Sequence, residues 1–139
     1  MNPKNKVLFF QIKDIKIKLI RIIQTAMHHF EKKENFLIRV ADEASLKFVD
    51  ELLWRQPQEG FLPHSISEEK CEDYIVITKS KENLNNAHFL FNLSQEIIDL
   101  DTSYKIIYDF DDFTSLKKQE KSKKRFEIYR QANLRIESS

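Results

Sequence analysis

The chain has 139 residues, 41% hydrophobic and 12% aromatic, enough to bury the core of one folded domain and too apolar for a disordered chain. A formal net charge of +1 excludes a global field that would draw the protein onto nucleic acid or an anionic membrane, so any electrostatic function has to be local. A single cysteine, Cys71, excludes an internal disulfide. No apolar run spans a bilayer, and Lys4, Lys6, Lys13, Lys16 and Lys18 break up any signal-peptide core, so a cytoplasmic location without membrane contact is expected.

The chain order of the elements predicts one α/β domain over residues 1–139. Lys6 to Ile12, "KVLFFQI", is a short apolar run rich in aromatic and β-branched residues and reads as a buried strand. Ile15, Leu19, Ile22, Ala26 and Phe30 then recur every three or four residues, with Ile23 and Met27 beside them, which is the pattern of an amphipathic helix. "NFLIRV" (Asn35 to Val40) is a second strand. It leads to a helix with Ala44, Phe48 and Leu52 on one face, Val49 and Leu53 adjoining, and Asp42 as N-cap. Crossovers of this length imply parallel strands with helices on the sheet faces. "YIVIT", "HFLFNL" and "YKIIYDF" give three more strands, and "SQEIIDL" (Ser94 to Leu100) reads as a short helix. The polar loop from Lys79 to Asn86 is expected to be mobile. Thr114 to Leu134 is a long C-terminal helix. The predicted fold class is therefore a single Rossmann-like domain: a mostly parallel sheet flanked by helices, without a glycine-rich nucleotide loop.

A phosphate-binding turn needs glycines that let backbone amides approach the anion. The only glycine, Gly60, lies far from the first strand-helix junction, which excludes a dinucleotide or P-loop site; no cofactor is expected. His28 and Glu31 share a helix face but lack a third metal ligand. Carboxylates around Cys71, in "EEKCED", disfavour its thiolate. Asp109 to Asp112, "DFDD", offers either a Mg²⁺ cluster or a strand end followed by acids at a helix N-terminus, and the second reading is preferred. No polar constellation converges, so no enzyme is expected and no catalytic or metal-binding residue is assigned.

Two stretches ask for a surface role. In "LWRQPQEGFLPH" (Leu53 to His64), Pro57 and Pro63 stiffen a segment that carries Trp54, Phe61 and Leu62. It is either a corner of the core or a preformed apolar patch for a partner. From Lys117 to Arg125 there is no apolar residue, so this half of the last helix is expected to lie outside the core. Its lysines followed by Phe126 and Tyr129 are either a solvated helix face or an anion site bordered by rings. Such a site suits an acidic peptide with an apolar residue, or single-stranded nucleic acid bound directly.

The blocks "FLIRVADEASLKFVDELLWRQPQEGFLPH" and "YKIIYDFDD…SLKK…KKRFEIYRQANLRI" resemble the chi subunit of bacterial DNA polymerase III over about half the chain. The tryptophan-to-histidine segment is the most specific part. The resemblance implies a non-catalytic holoenzyme subunit that links the clamp loader to the acidic C-terminal tail of single-stranded DNA-binding protein, so that its contact with DNA is indirect. By the same resemblance Lys123, Arg125, Phe126, Tyr129 and Arg130, with Lys117 of "SLK", are the tail-binding set. Trp54, Phe61, Leu62 and Pro63 match the patch that docks the psi subunit of the clamp loader, or a helicase. Lys123 stands where the family often has arginine and Phe126 where tyrosine is common. The spacing from "SLK" to "RFEIYR" is longer than the family's.

Overall fold

A computed structural model describes residues 5–55, 62–96 and 103–139. The described elements run β1 (Lys6–Ile12), α1 (Ile15–Glu31), β2 (Phe36–Arg39), α2 (Glu43–Arg55), β3 (Ser65–Ile66), β4 (Ile75–Thr78), β5 (Phe89–Asn92), β6 (Ile106–Asp112), α3 (Leu116–Gln131) and β7 (Arg135–Ser138). The strands form one sheet in the order β3-β4-β2-β5-β6-β1-β7, and every pairing is parallel. The expected α/β class, mostly parallel sheet and long C-terminal helix are therefore present. Two edge strands, β3 and β7, join the five that hydrophobic patterning indicated. The proposed helix from Ser94 to Leu100 lies partly outside the described residues. Among the described residues no helix is long and apolar enough to cross a membrane.

Alternation along the strands divides the core in two. Phe10, Ile12, Phe36, Ile38, Phe91, Tyr108 and Phe110 face α1 and α2, where Ile22, Ala26, Leu46, Val49 and Leu53 cover them. Val7, Phe9, Leu37, Leu90 and Ile107 face the other side, under Tyr129 of α3 and under Tyr104 and Ala87. The phase of α1 matches expectation beyond its first residue, whereas the buried face of α2 is Leu46, Val49, Leu52 and Leu53, rotated from the expected Ala44, Phe48 and Leu52. Ile15, Ala44 and Phe48, expected in the core, are exposed, Ile15 at 59% and Phe48 at 53%. They sit in the first two turns of α1 and α2, where these helices line an open cavity at the carboxyl end of the strands. Asp14 and Asp42 cap the two helices, accepting from the amides of Lys16 and Ser45.

The Lys79 to Asn86 loop departs from expectation, because the fold ties it down. Buried Arg39 donates to the carbonyls of Ser80 and Lys81, and the Asn85 amide group donates to the carbonyls of Phe36, Asp73 and Tyr74. Buried polar groups seek such partners because an unmatched donor costs its desolvation.

His29 is the polar member of the buried face of α1. Its ring lies against Phe36 and Phe89. Its Nδ1 is 2.9 Å from the Glu34 carboxylate, which only accepts, so Nδ1 donates and Nε2 accepts from the Tyr108 hydroxyl at 2.8 Å. Burial pushes the Tyr108 phenol up to about 12. Burial is also the main influence on His29 and lowers it below the ordinary histidine value of 6.5, with Glu34 opposing. The unfolded chain then takes up a proton that the folded state resists. Stability is accordingly full above about pH 6.5 and declines as the pH falls through and below that value. An NMR titration of the His29 ring is expected to give a midpoint below 6.5; a midpoint above it would refute this account.

Candidate functional site

The acidic tip of β6 organises the carboxyl end of the sheet. Asp109 and Asp112, three positions apart, project to opposite faces, which is why they do not converge as a metal cluster. No grouping of three metal-ligating side chains occurs among the described residues. Nor are these acids the N-terminal residues of a helix, as expected: all of "DFDD" lies within β6, and the first turn of α3 carries no acid. Asp112 points to α1 and meets the Lys18 ammonium at 2.6 Å. Burial raises its carboxyl, but Lys18 together with the Thr114 hydroxyl and amide holds it below the usual carboxylate value.

Asp109 points to α3. It accepts from Arg125 Nε at 3.0 Å, from the Tyr129 hydroxyl at 2.7 Å and from the Phe110 amide at 2.7 Å. Full burial drives its carboxyl upward, and the guanidinium and these donors resist that shift. Arg125 also donates to the carbonyls of Gln95 and Phe110. The Ser122 hydroxyl donates within the same buried layer, and the Asp112 amide donates to it in turn. The expectation that Lys117 to Arg125 lies outside the core is thereby corrected. The inner face of this helix packs through Ser122 and Arg125, whose polar groups find partners on β6, instead of through apolar side chains.

This inner face orients the outer one. At 3.6 residues per turn, Gln119, Lys123, Phe126 and Arg130 form one stripe along α3. The Phe126 ring stacks on buried Phe9 at 6.1 Å between centroids and remains 36% exposed. Lys123 is exposed. Arg130 is exposed too, and its guanidinium meets Glu127 at 2.7 Å in an i,i+3 pair weak enough to be exchanged. Lys117 stands nine residues before Phe126, two and a half turns away, and so projects from the opposite side of the helix. Arg125 and Tyr129 are buried at 4% and 1%, on the inner face. Of the six residues proposed for the tail, the fold brings Lys123, Phe126 and Arg130 together at the surface. It places Arg125 and Tyr129 beneath them and Lys117 away from them.

A second surface lies at the end of α2. Leu62 is buried in the core, and its amide donates to the Leu53 carbonyl at 2.8 Å, closing the corner. Trp54 is 52% exposed and lies edge-on to His64. Both ring nitrogens of His64 meet oxygen acceptors, the Leu62 carbonyl and the Asp50 carboxylate, each at 2.6 Å. Pro63 is exposed; Phe61 and Pro57 lie outside the described residues.

The fold and these surfaces define an all-parallel α/β domain with an aromatic corner at one place and a basic helix stripe centred on a phenylalanine at another. The chain belongs to the family described as DNA polymerase III chi subunit, HolC, whose model matches residues 5–137. It is 38% identical over 77 residues to DNA polymerase III subunit chi of Haemophilus influenzae, covering 53% of this chain and 54% of that protein. It is 23% identical over 121 residues to DNA polymerase III subunit chi of Escherichia coli strain K12, covering 85% and 82%. The chain thus spans about half the length of the first of these relatives and most of the second.

Proposed function

We propose that this protein is a non-catalytic accessory subunit of the replicative polymerase that connects the clamp loader to the acidic C-terminal tail of single-stranded DNA-binding protein. Membership of the chi family supports the accessory role. One observation carries the tail site: the Phe126 ring rests on Phe9 yet stays partly exposed, on the same helix stripe as Lys123 and Arg130. An apolar side chain at the end of a tail can pack on that ring while the cations meet its carboxylates. Arg125 and Tyr129 serve the site by fixing the rotation of α3. The contact is weak singly and gains strength through repetition, since many tails on coated DNA raise the local concentration of the partner. The exposed Trp54 and Pro63, with Phe61, form the dock for a psi-like clamp-loader subunit or a helicase.

Fluorescence polarisation with a labelled tail peptide tests the assignment. Phe126→Ala and Lys123→Glu are each expected to weaken binding about tenfold while the circular dichroism spectrum is unchanged. An amidated peptide is expected to bind more weakly than the one with a free carboxylate. Unchanged affinity in both variants would remove the site. Bare oligonucleotide is not expected to displace the peptide at equal concentration; if it does, the lysine-rich helix is a nucleic-acid site instead.

A further inference from the structure

The geometry points to a second binding site, for a small apolar monoanion, in the cavity between the first turns of α1 and α2. The cavity holds about 380 Å³ and opens at the carboxyl end of the sheet. This size falls in the range of small-molecule sites, and the position is where parallel α/β sheets bind ligands. The apolar part of its lining comes from Ile15 and Leu19 of α1 and Ala44, Phe48 and Val49 of α2. Ile15 continues the stripe of buried Ile22 and Ala26, and Phe48 lies one turn before buried Leu52, yet both stay largely exposed, so the slot presents apolar surface that nothing in the described chain covers.

The charges lining the slot do not cancel. Lys18, Lys118 and Arg125 contribute three cations, and Asp109 and Asp112 contribute two anions. Each aspartate already has its own partner: Asp112 holds Lys18 at 2.6 Å and Asp109 holds Arg125 at 3.0 Å. Lys118, partly buried on α3, makes no ion pair among the described residues. One positive charge is therefore left beside an apolar slot, and its complement is a single negative charge on an apolar body, such as an aromatic or branched carboxylate. The site is distinct from the Phe126 stripe, which occupies another face of α3 and contributes none of the lining residues.

The test uses 3-phenylpropionate and its neutral primary amide as probes, followed by amide NMR shifts of the full chain. The acid is expected to bind at millimolar concentration or better, shifting Ile15, Ala44 and Phe48, and the amide about tenfold more weakly. Lys118→Gln should abolish the difference between the two probes. Ala44→Phe, at an exposed position of α2, should fill the slot and block both, whereas Lys123→Glu should change nothing. The proposal is overturned if acid and amide bind alike to the wild-type chain, or if neither shifts these residues at about 20 mM, well above the dissociation constant expected of such small ligands. It is also overturned if Ala44→Phe leaves binding intact, or if sedimentation shows the slot filled by a second copy of the chain.

Discussion

Arg125→Ala is expected to destabilise the domain by about 3–5 kcal/mol, a large share of the ~5–15 kcal/mol that holds a domain folded. The reason is the asymmetry of buried ion pairs. Truncating Arg125 leaves the Asp109 carboxylate fully enclosed with, among the described residues, only the Tyr129 hydroxyl and the Phe110 amide as donors. It also strips the Gln95 and Phe110 carbonyls of a donor. Urea denaturation should show a lower midpoint with an unchanged slope. Asp109→Asn should be milder, since it removes the charge but keeps an acceptor for Arg125. Lys123→Ala, on the exposed stripe of the same helix, should move stability by less than about 0.5 kcal/mol. Equal stability of Arg125→Ala and wild type would mean that α3 is not held by this pair. The comparison also bears on the tail. Loss of peptide binding in Arg125→Ala would follow from a displaced helix, and only Lys123, Phe126 and Arg130 should lose affinity without losing stability.

Phe91→Ala should cost about 3–5 kcal/mol through a different mechanism, the opening of a cavity. Phe91 is fully buried in β5, and its ring touches those of Phe10, Phe36, Tyr108 and Phe110. These neighbours sit on three other strands held in register by backbone hydrogen bonds, so they cannot collapse into the space. Phe91→Leu, which keeps most of the volume, should lose less than half as much. A small effect of Phe91→Ala in denaturant titration would show that the aromatic layer repacks freely.

The strands and helices of this fold were legible wherever a segment buries a regular apolar pattern. "KVLFFQI" and the Ile15 to Phe30 periodicity identify β1 and α1 because one face of each meets the core. β3 and β7 escaped because patterning needs length. Ser65–Ile66 is too short to show a period, and Arg135–Ser138 contributes one apolar residue, Ile136. What fixes β7 is the unpaired edge of β1, which no local reading contains. The buried polar layer escaped for a related reason. Counting apolar residues from Lys117 to Arg125 gives none, yet Ser122 and Arg125 are buried because β6 supplies Asp109 and the Phe110 carbonyl. His29 did carry a signal, as it continues the Ile22 and Ala26 stripe. At the candidate site, helical spacing alone groups Lys123, Phe126 and Arg130. Which side of α3 turns inward depended on Asp109, sixteen residues from Arg125 in the chain.

The strand order has a consequence for biosynthesis. β1, the first strand of this domain to be synthesised, lies between β6 and β7, the last two of the domain, with Lys6 beside both Ile106 and Arg135. The nascent β1 must therefore wait, with the apolar surfaces of Val7 and Phe9 uncovered, until the last strands of the domain have been made. Closure of the sheet is then a late, long-range event, and a domain built this way should depend on holdase chaperones during synthesis more than its size alone would suggest.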